Sequence, residues 1–286
     1  MQIHVDTDVT VLSDTAEIPG LGFLPVNSFV VHAEQPVVVD TGLGTEDKDF
    51  ISVLAEVMDP ADVRWIWLTH PDRDHTGGLY ALLEAAQQAR VVTTFIGVGI
   101  LSCERPLSLD RVHLLNPGQS LDVGDRQLTG FRPPLFDNPA TVGFMDTHSG
   151  NLFSSDCFGG PMATEQAATA SDVREISPDD LRAAQLLWAS VDSPWLNMVD
   201  PQRFSATVEP VRQFNPRAVF STHLPPAYGM NATLLDFLDV APGTSPFVGP
   251  DQAALEALLA TFEPPTQPTT QPPTQQAPAE APAVPT

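Results

Sequence analysis

Four side chains of metal-binding type stand within six residues, in His70-Pro71-Asp72-Arg73-Asp74-His75. The segment follows the apolar run at residues 63–69 and precedes Thr76-Gly77-Gly78. A stretch that ends a strand and opens a helix is a connecting loop, where functional side chains gather. Side chains two apart on an extended segment point the same way. His70 and Asp72 can therefore converge on one point while Asp74 and His75 turn toward a second. Imidazole and carboxylate at this density are the donor types of metal centres. The competing reading is a solvated acidic turn; Thr69 before the cluster and Gly77-Gly78 after it argue for a specific site.

The 286 residues suit one large α/β domain or two small ones, with ample length for a core. Composition changes at Glu263, after which the chain continues in Pro, Thr, Gln and Ala to Thr286. A segment without apolar periodicity cannot offset its ordering entropy by burial. The expected organisation is a folded domain over 1–262 and a disordered tail over 263–286, with a polyproline ligand as the other reading of the tail. Thirteen basic against 36 acidic residues leave a formal charge of −23, which repels nucleic acid and anionic membrane. No apolar run approaches the ~18 residues of a membrane span. Residues 1–6 carry neither a basic nor an apolar stretch, so no secretory signal is read there. Two cysteines, Cys103 and Cys157, argue against a disulfide framework as the organising device. The expected location is the cytoplasm.

Strand and helix patterns alternate along the domain. Residues 27–32 and 36–39 read as a hairpin whose second strand runs into Asp40-Thr41-Gly42. Helical spacing covers 45–58, with Pro60 after it, and a buried strand with Trp65 and Trp67 covers 63–69. A helix at 78–89, strands at 91–94 and 151–155, a helix at 201–214, a strand at 218–222 and a last helix at 251–262 follow. Ser177-Pro178-Asp179-Asp180 is a helix start: a capping serine, proline in the first turn, then acids at the positive end of the dipole. This rhythm predicts an α/β fold, an αββα sandwich with sheets inside and helices outside.

The cluster resembles the H-x-H-x-D-H signature of the metallo-β-lactamase superfamily, and Asp40-Thr41-Gly42 resembles the Asp-Thr-Gly before it. The resemblance covers most of residues 3–230. An acid in place of the second histidine, Asp72, resembles the flavodiiron branch, the oxygen-binding di-iron proteins, whose signature is H-x-E-x-D-H. Aspartate is one methylene shorter than that glutamate. Ser154-Ser155-Asp156-Cys157-Phe158-Gly159 resembles the flavodiiron segment around the bridging aspartate. Asp137 lies nineteen residues before Asp156 and 62 after His75, about where the family carries a ligand histidine; a turn-forming Asp before Asn138-Pro139 is the other reading. Phe220-Ser221-Thr222-His223 resembles the last ligand motif.

The resemblance implies one metal on His70, Asp72, Asp137 and Asp156, and a second on Asp74, His75, Asp156 and His223, with Asp74 and Asp156 serving the chemistry as well. Hard oxygen donors with imidazole favour iron, with manganese and zinc as alternatives. Four carboxylates offset two divalent ions in full, which leaves a poor Lewis acid for hydrolysis. The expectation is a di-metal protein, expected to be an enzyme, that binds or reduces dioxygen, nitric oxide or peroxide. The alternative is a metal-dependent hydrolase of a thioester, lactone or phosphoester; a binding protein with a decayed metal site is the third reading. No flavodoxin-like segment is read before the tail, so a redox role implies an external electron donor. The implied partners are a small molecule or gas, with no nucleic acid and no membrane; a homodimer stays open. His4, His32, His113 and His148 read as surface or structural, and Cys157 as a small buried neighbour of the site. No G-x-G-x-x-G, G-x-x-x-x-G-K or G-x-S-x-G motif occurs.

Overall fold

In the computed structural model, which describes residues 1–45 and 49–259, the chain opens with antiparallel strands β1 (Gln2–Asp6), β2 (Val9–Ile18) and β3 (Gly22–Val31). Strand β4 (Val37–Val39) completes the expected hairpin with β3. Strands β5 (Trp65–Trp67), β6 (Arg90–Thr93) and β7 (Val112–Leu114) add on in parallel, giving the order β1 to β7. The second sheet holds β8 (Ser120–Asp122), β9 (Gln127–Phe131), β10 (Gly143–Asp146), β11 (Asn151–Phe153), β12 (Ala218–Phe220) and β13 (Ala227–Tyr228), in the order β13-β12-β11-β10-β9-β8. Only β11 and β12 pair in parallel there, as a connection through helices requires.

The sandwich follows from the period of the strands. Along β3, Phe29 and Val31 enter the core shared with the second sheet, while Val30 faces the opposite way; Val37, Val38 and Val39 divide likewise. A continuous apolar run thus means a strand buried on both faces. Between the sheets, Phe153 stacks on Phe144 and Phe220, with ring centroids 4.4 and 5.1 Å apart. On the outer face of the first sheet lie α1 (Phe50–Ala55), α3 (Leu79–Ala85) and α4 (Phe95–Glu104), which contribute Phe50, Leu54, Leu79, Leu82 and Leu101 to its core, while the short α2 (Arg73–Thr76) buries His75 and Thr76. The second sheet's outer core takes residues from α5 (Glu165–Ala168), α6 (Pro178–Asp192), α7 (Pro201–Phe214) and α8 (Asn231–Val240). This is the expected αββα arrangement.

Helix α6 starts as its sequence predicts: the Asp180 N–H donates to Ser177 Oγ at 3.2 Å. Helix α7 spans the expected 201–214 with Pro210 inside it. The helix expected over 45–58 is shorter, because Asp49 caps it by accepting from Ser52 N–H. Strand β5 covers only the middle of 63–69, since the Thr69 N–H turns aside to the Asp40 carboxylate. The chain divides into units Met1–Phe247 and Val248–Thr286, and the described part of the second includes helix α9 (Gln252–Leu259). The expectation for residues 263–286 lies outside the described residues. No described helix is long and apolar enough to cross a membrane.

Truncating a ring buried between the sheets removes its transfer energy and leaves a cavity. Phe153→Ala is expected to cost about 3–5 kcal/mol in urea unfolding. Phe214→Ala, at a ring 37% exposed, should cost well under half of that; equal losses would contradict this layering.

Candidate metal centre

The site gathers at the ends of β4, β5, β11 and β12 and takes Asp137 from the connection after β9, so five connections supply it. Asp40 follows β4 with a left-handed backbone, φ 54°. Its carboxylate is fully buried and accepts from Thr69 N–H at 2.8 Å, Thr69 Oγ1–H at 2.7 Å, His75 Nδ1–H at 2.8 Å and Thr222 Oγ1–H at 3.3 Å. The next residues hold the loop: Thr41 N–H donates to His75 O at 2.8 Å, and Gly78 N–H to Thr41 O at 3.0 Å. Gly77 is required here, since a Cβ on it would lie 2.1 Å from Gly44 N.

Hydrogen-bond polarity fixes the imidazoles. A carboxylate only accepts, so His75 carries its Nδ1 proton toward Asp40. Thr69 spends its one hydroxyl proton on Asp40 and must accept the Ser155 hydroxyl at 3.0 Å. Ser155 then accepts from His70 Nδ1 at 3.1 Å. His223 Nδ1–H donates to Pro25 O at 2.7 Å, a partner that can only accept. All three histidines are buried and turn Nε2 toward one another's acids. A carboxylate or carbonyl behind an imidazole is the arrangement that orients a metal ligand.

The acids complete two groups. His70 Nε2 lies 3.3 Å from Asp156 Oδ2, 3.6 Å from Asp72 Oδ2 and 3.8 Å from Asp137 Oδ1. Asp156 Oδ1 lies 3.1 Å from His75 Nε2 and 3.4 Å from His223 Nε2, and Asp74 Oδ2 lies 3.3 Å from the same His223 atom. Sets whose donor atoms all fall within 4.8 Å of one another are His70-Asp72-Asp137, Asp74-His75-His223 and His70-His75-Asp156. The structure therefore brings together all seven residues singled out in the sequence, with Asp156 between the two groups. Asp72, the shorter acid, reaches His70 and also accepts from Asn138 Nδ2 at 2.8 Å.

These residues fit metal ions. His75 Nε2 and Asp156 Oδ1 are buried atoms without a hydrogen-bond partner, a costly state in an apolar interior. Against burial, which lowers it, Asp156 and Asp74 hold His223 up at about 9; His70 and His75 are raised as well, with burial and the neighbouring acids opposed. Against burial, which raises them, the three imidazoles hold Asp74 and Asp156 below the usual range. Burial, with the Asp156 and Asp72 charges, pushes Asp137 up to about 6 although His70 pulls it down.

Two residues of α6 were not read from sequence. The Trp188 ring sits edge-on to His223 at 5.1 Å, and Asp192 brings an oxygen within 4.8 Å of Asp137 and Asp156. Burial, then the charges of Asp156 and Asp137, push Asp192 up to about 8. Cys157 is buried and its thiol is pushed up to about 12, chiefly by that burial. His4, His32 and His113 make structural contacts away from these groups, to Thr169 O, Thr10 Oγ1 and the Trp65 ring.

Comparison with known proteins bears on the fold. The model of the metallo-beta-lactamase superfamily matches residues 21–150. The anaerobic nitric oxide reductase flavorubredoxin of Salmonella arizonae is 24% identical over 178 residues, which is 62% of this chain and 36% of that protein. The chain thus spans about a third of the length of the curated relatives it matches. Rubredoxin oxygen:oxidoreductase from Desulfovibrio gigas superposes with a TM-score of 0.69 at 18% identity, covering 86% of this chain and 63% of that one. The flavodiiron protein from Giardia intestinalis gives 0.71 at 17% identity, covering 85% and 59%. The shared fold is that of the metallo-β-lactamases.

A metal must displace the proton His223 holds below about pH 9. Manganese affinity is expected to rise from neutral pH toward 9, by about tenfold per pH unit for each proton released, with the His223 contribution complete above about 9. Titrations in buffers of different pH, with proton release recorded, check this; a pH-independent affinity would contradict it.

Proposed function

We propose that this chain, with its metallo-β-lactamase fold and flavodiiron similarity, is a di-metal protein, iron foremost, that binds or reduces dioxygen, nitric oxide or peroxide. The observation that carries the reading is the pair of donor groups joined at Asp156, made of three imidazoles and four carboxylates with no thiolate. One ion would be held by His70, Asp72, Asp137 and Asp156, the other by Asp74, His75, Asp156 and His223. Bound there, the ions would supply a redox couple for a small oxygen or nitrogen oxide. The relatives, a nitric oxide reductase and an oxygen oxidoreductase by name, support that substrate class.

The chain's own residues suit this chemistry better than hydrolysis. Four carboxylates match the charge of two divalent ions, and negative surroundings favour the more positive oxidation state. A hydrolytic centre needs residual positive charge to acidify a water. Asp40 keeps the Nδ1 protons of His75 and, through Thr69 and Ser155, of His70 facing away from the site. Asp74 and Asp156 stay ionised beside three imidazoles, so each can share charge with a bound ion. Electrons would come from a donor outside the described residues, and we place the protein in the cytoplasm, with a homodimer as one assembly open to it.

Protein produced without added metal is expected to contain iron, or manganese where iron is scarce. After anaerobic reduction, admission of oxygen should change the near-ultraviolet and visible spectrum. Zinc as isolated, no response to oxygen and turnover of a thioester, lactone or phosphodiester would overturn the reading.

A further inference from the structure

A cavity of about 780 Å³ lies between the segment after β9 and the start of α7, a size that takes a small organic molecule. Its walls are mostly apolar and fixed in place. Trp195, in the turn Pro194–Met198 that follows α6, donates from Nε1–H to Phe136 O at 2.9 Å, and the two rings lie 5.4 Å apart. Phe204 of α7 adds a buried ring to the lining, and Met198 stands beside it 81% exposed. None of the seven donors of the metal centre lines the cavity, although Phe136 directly precedes Asp137.

The charges at this cavity run against those of the chain. The sequence has 36 acidic residues against 13 basic, yet Arg132 and Arg203 both line the cavity. No carboxylate pairs with either guanidinium among the described residues. Arg132 is half-buried, lies over the Phe136 ring with its Cζ 4.9 Å from the centroid, and donates to Pro139 O at 2.9 Å. Five N–H donors make up a guanidinium, so most of its capacity is left for a ligand. Burial without a counter-ion also lowers its basicity, a cost that a bound anion would relieve. The one acid in the lining, Asp200, caps α7 by accepting from Arg203 N–H at 3.0 Å. Two guanidiniums less this carboxylate leave a single positive charge, which matches a monoanion.

We propose that the cavity is a binding site for a small aromatic carboxylate, separate from the metal centre. The ring of the ligand lies among Phe136, Trp195 and Phe204, where burial of apolar surface and edge-to-face contact favour a flat aromatic body. Its carboxylate faces Arg132 and Arg203, whose planar donors suit that group. Met198, exposed in the empty cavity, loses its contact with water when the ligand enters.

The test is calorimetric titration of the full chain with 2-naphthoate and with its neutral counterpart 2-naphthylmethanol. One equivalent of naphthoate is expected to bind, about tenfold tighter than the alcohol, because hydrogen bonds to the charged group are lost in the latter. Arg203→Gln, at an exposed side chain, should weaken naphthoate about tenfold and leave the alcohol and the melting temperature unchanged. Met198→Glu should weaken naphthoate more than the alcohol, since it sets an acid beside the ligand. Equal affinity for naphthoate and the alcohol, or no saturable binding of either, would overturn the proposal. So would naphthoate affinity unchanged in either variant, which would put the carboxylate elsewhere, at the metal centre or on another surface.

Discussion

The buried carboxylate of Asp40 is the interaction on which the rest of this structure depends. It has no exposure and four donors, drawn from the ends of β5 and β12 and from the loop that carries His75. Burying a charge is costly unless it is fully hydrogen-bonded, so the three segments must arrive together. Each donor also has a directional consequence. His75 shows Nε2 to the centre because Asp40 takes its Nδ1 proton, and His70 does the same at the end of a chain through Thr69 and Ser155. One aspartate thus joins the two sheets and sets the tautomers of two imidazoles.

The centre itself is a balance of charges that the fold alone leaves incomplete. Three buried imidazoles face Asp74, Asp156, Asp72, Asp137 and Asp192, and the acids hold all three imidazoles up against burial, which lowers them. A divalent ion completes the balance, since it satisfies at once the orphaned His75 Nε2 and Asp156 Oδ1. Binding energy then becomes stabilisation of the folded loops that hold these residues. The sandwich supplies rigidity: the Phe144, Phe153 and Phe220 stack lies on the strands that lead into the Asp156 and His223 loops.

The site was legible in the sequence where its residues are crowded or follow a strand. His70 to His75 announce themselves by density, and Asp156 and His223 each come just after a short apolar strand. Asp137 was reached by spacing, and the structure puts it beside His70. Asp192 and Trp188 carried no local sign: on a helix only the partner surface tells which face matters, and that surface comes from residues far along the chain. The fold divides similarly. The one strand read as buried, at 63–69, does bury Ile66 and Trp67, with Trp65 partly exposed, and α7 was read to the residue. Strand β1 was missed because Gln2, His4 and Asp6 give it a polar, half-exposed pattern. Helix α4 was missed because Phe95 and Ile96 are exposed and blur its apolar face. Asp40 was noticed as part of a motif, but its four donors appear only when both sheets are assembled.

Anomalous X-ray scattering from crystals grown with iron, recorded on both sides of the iron edge, tests the central claim most directly. Two peaks are expected, about 3.5–4 Å apart, with Asp156 between them and His70 and His223 on opposite sides. A single peak, or density away from these seven residues, would contradict the account.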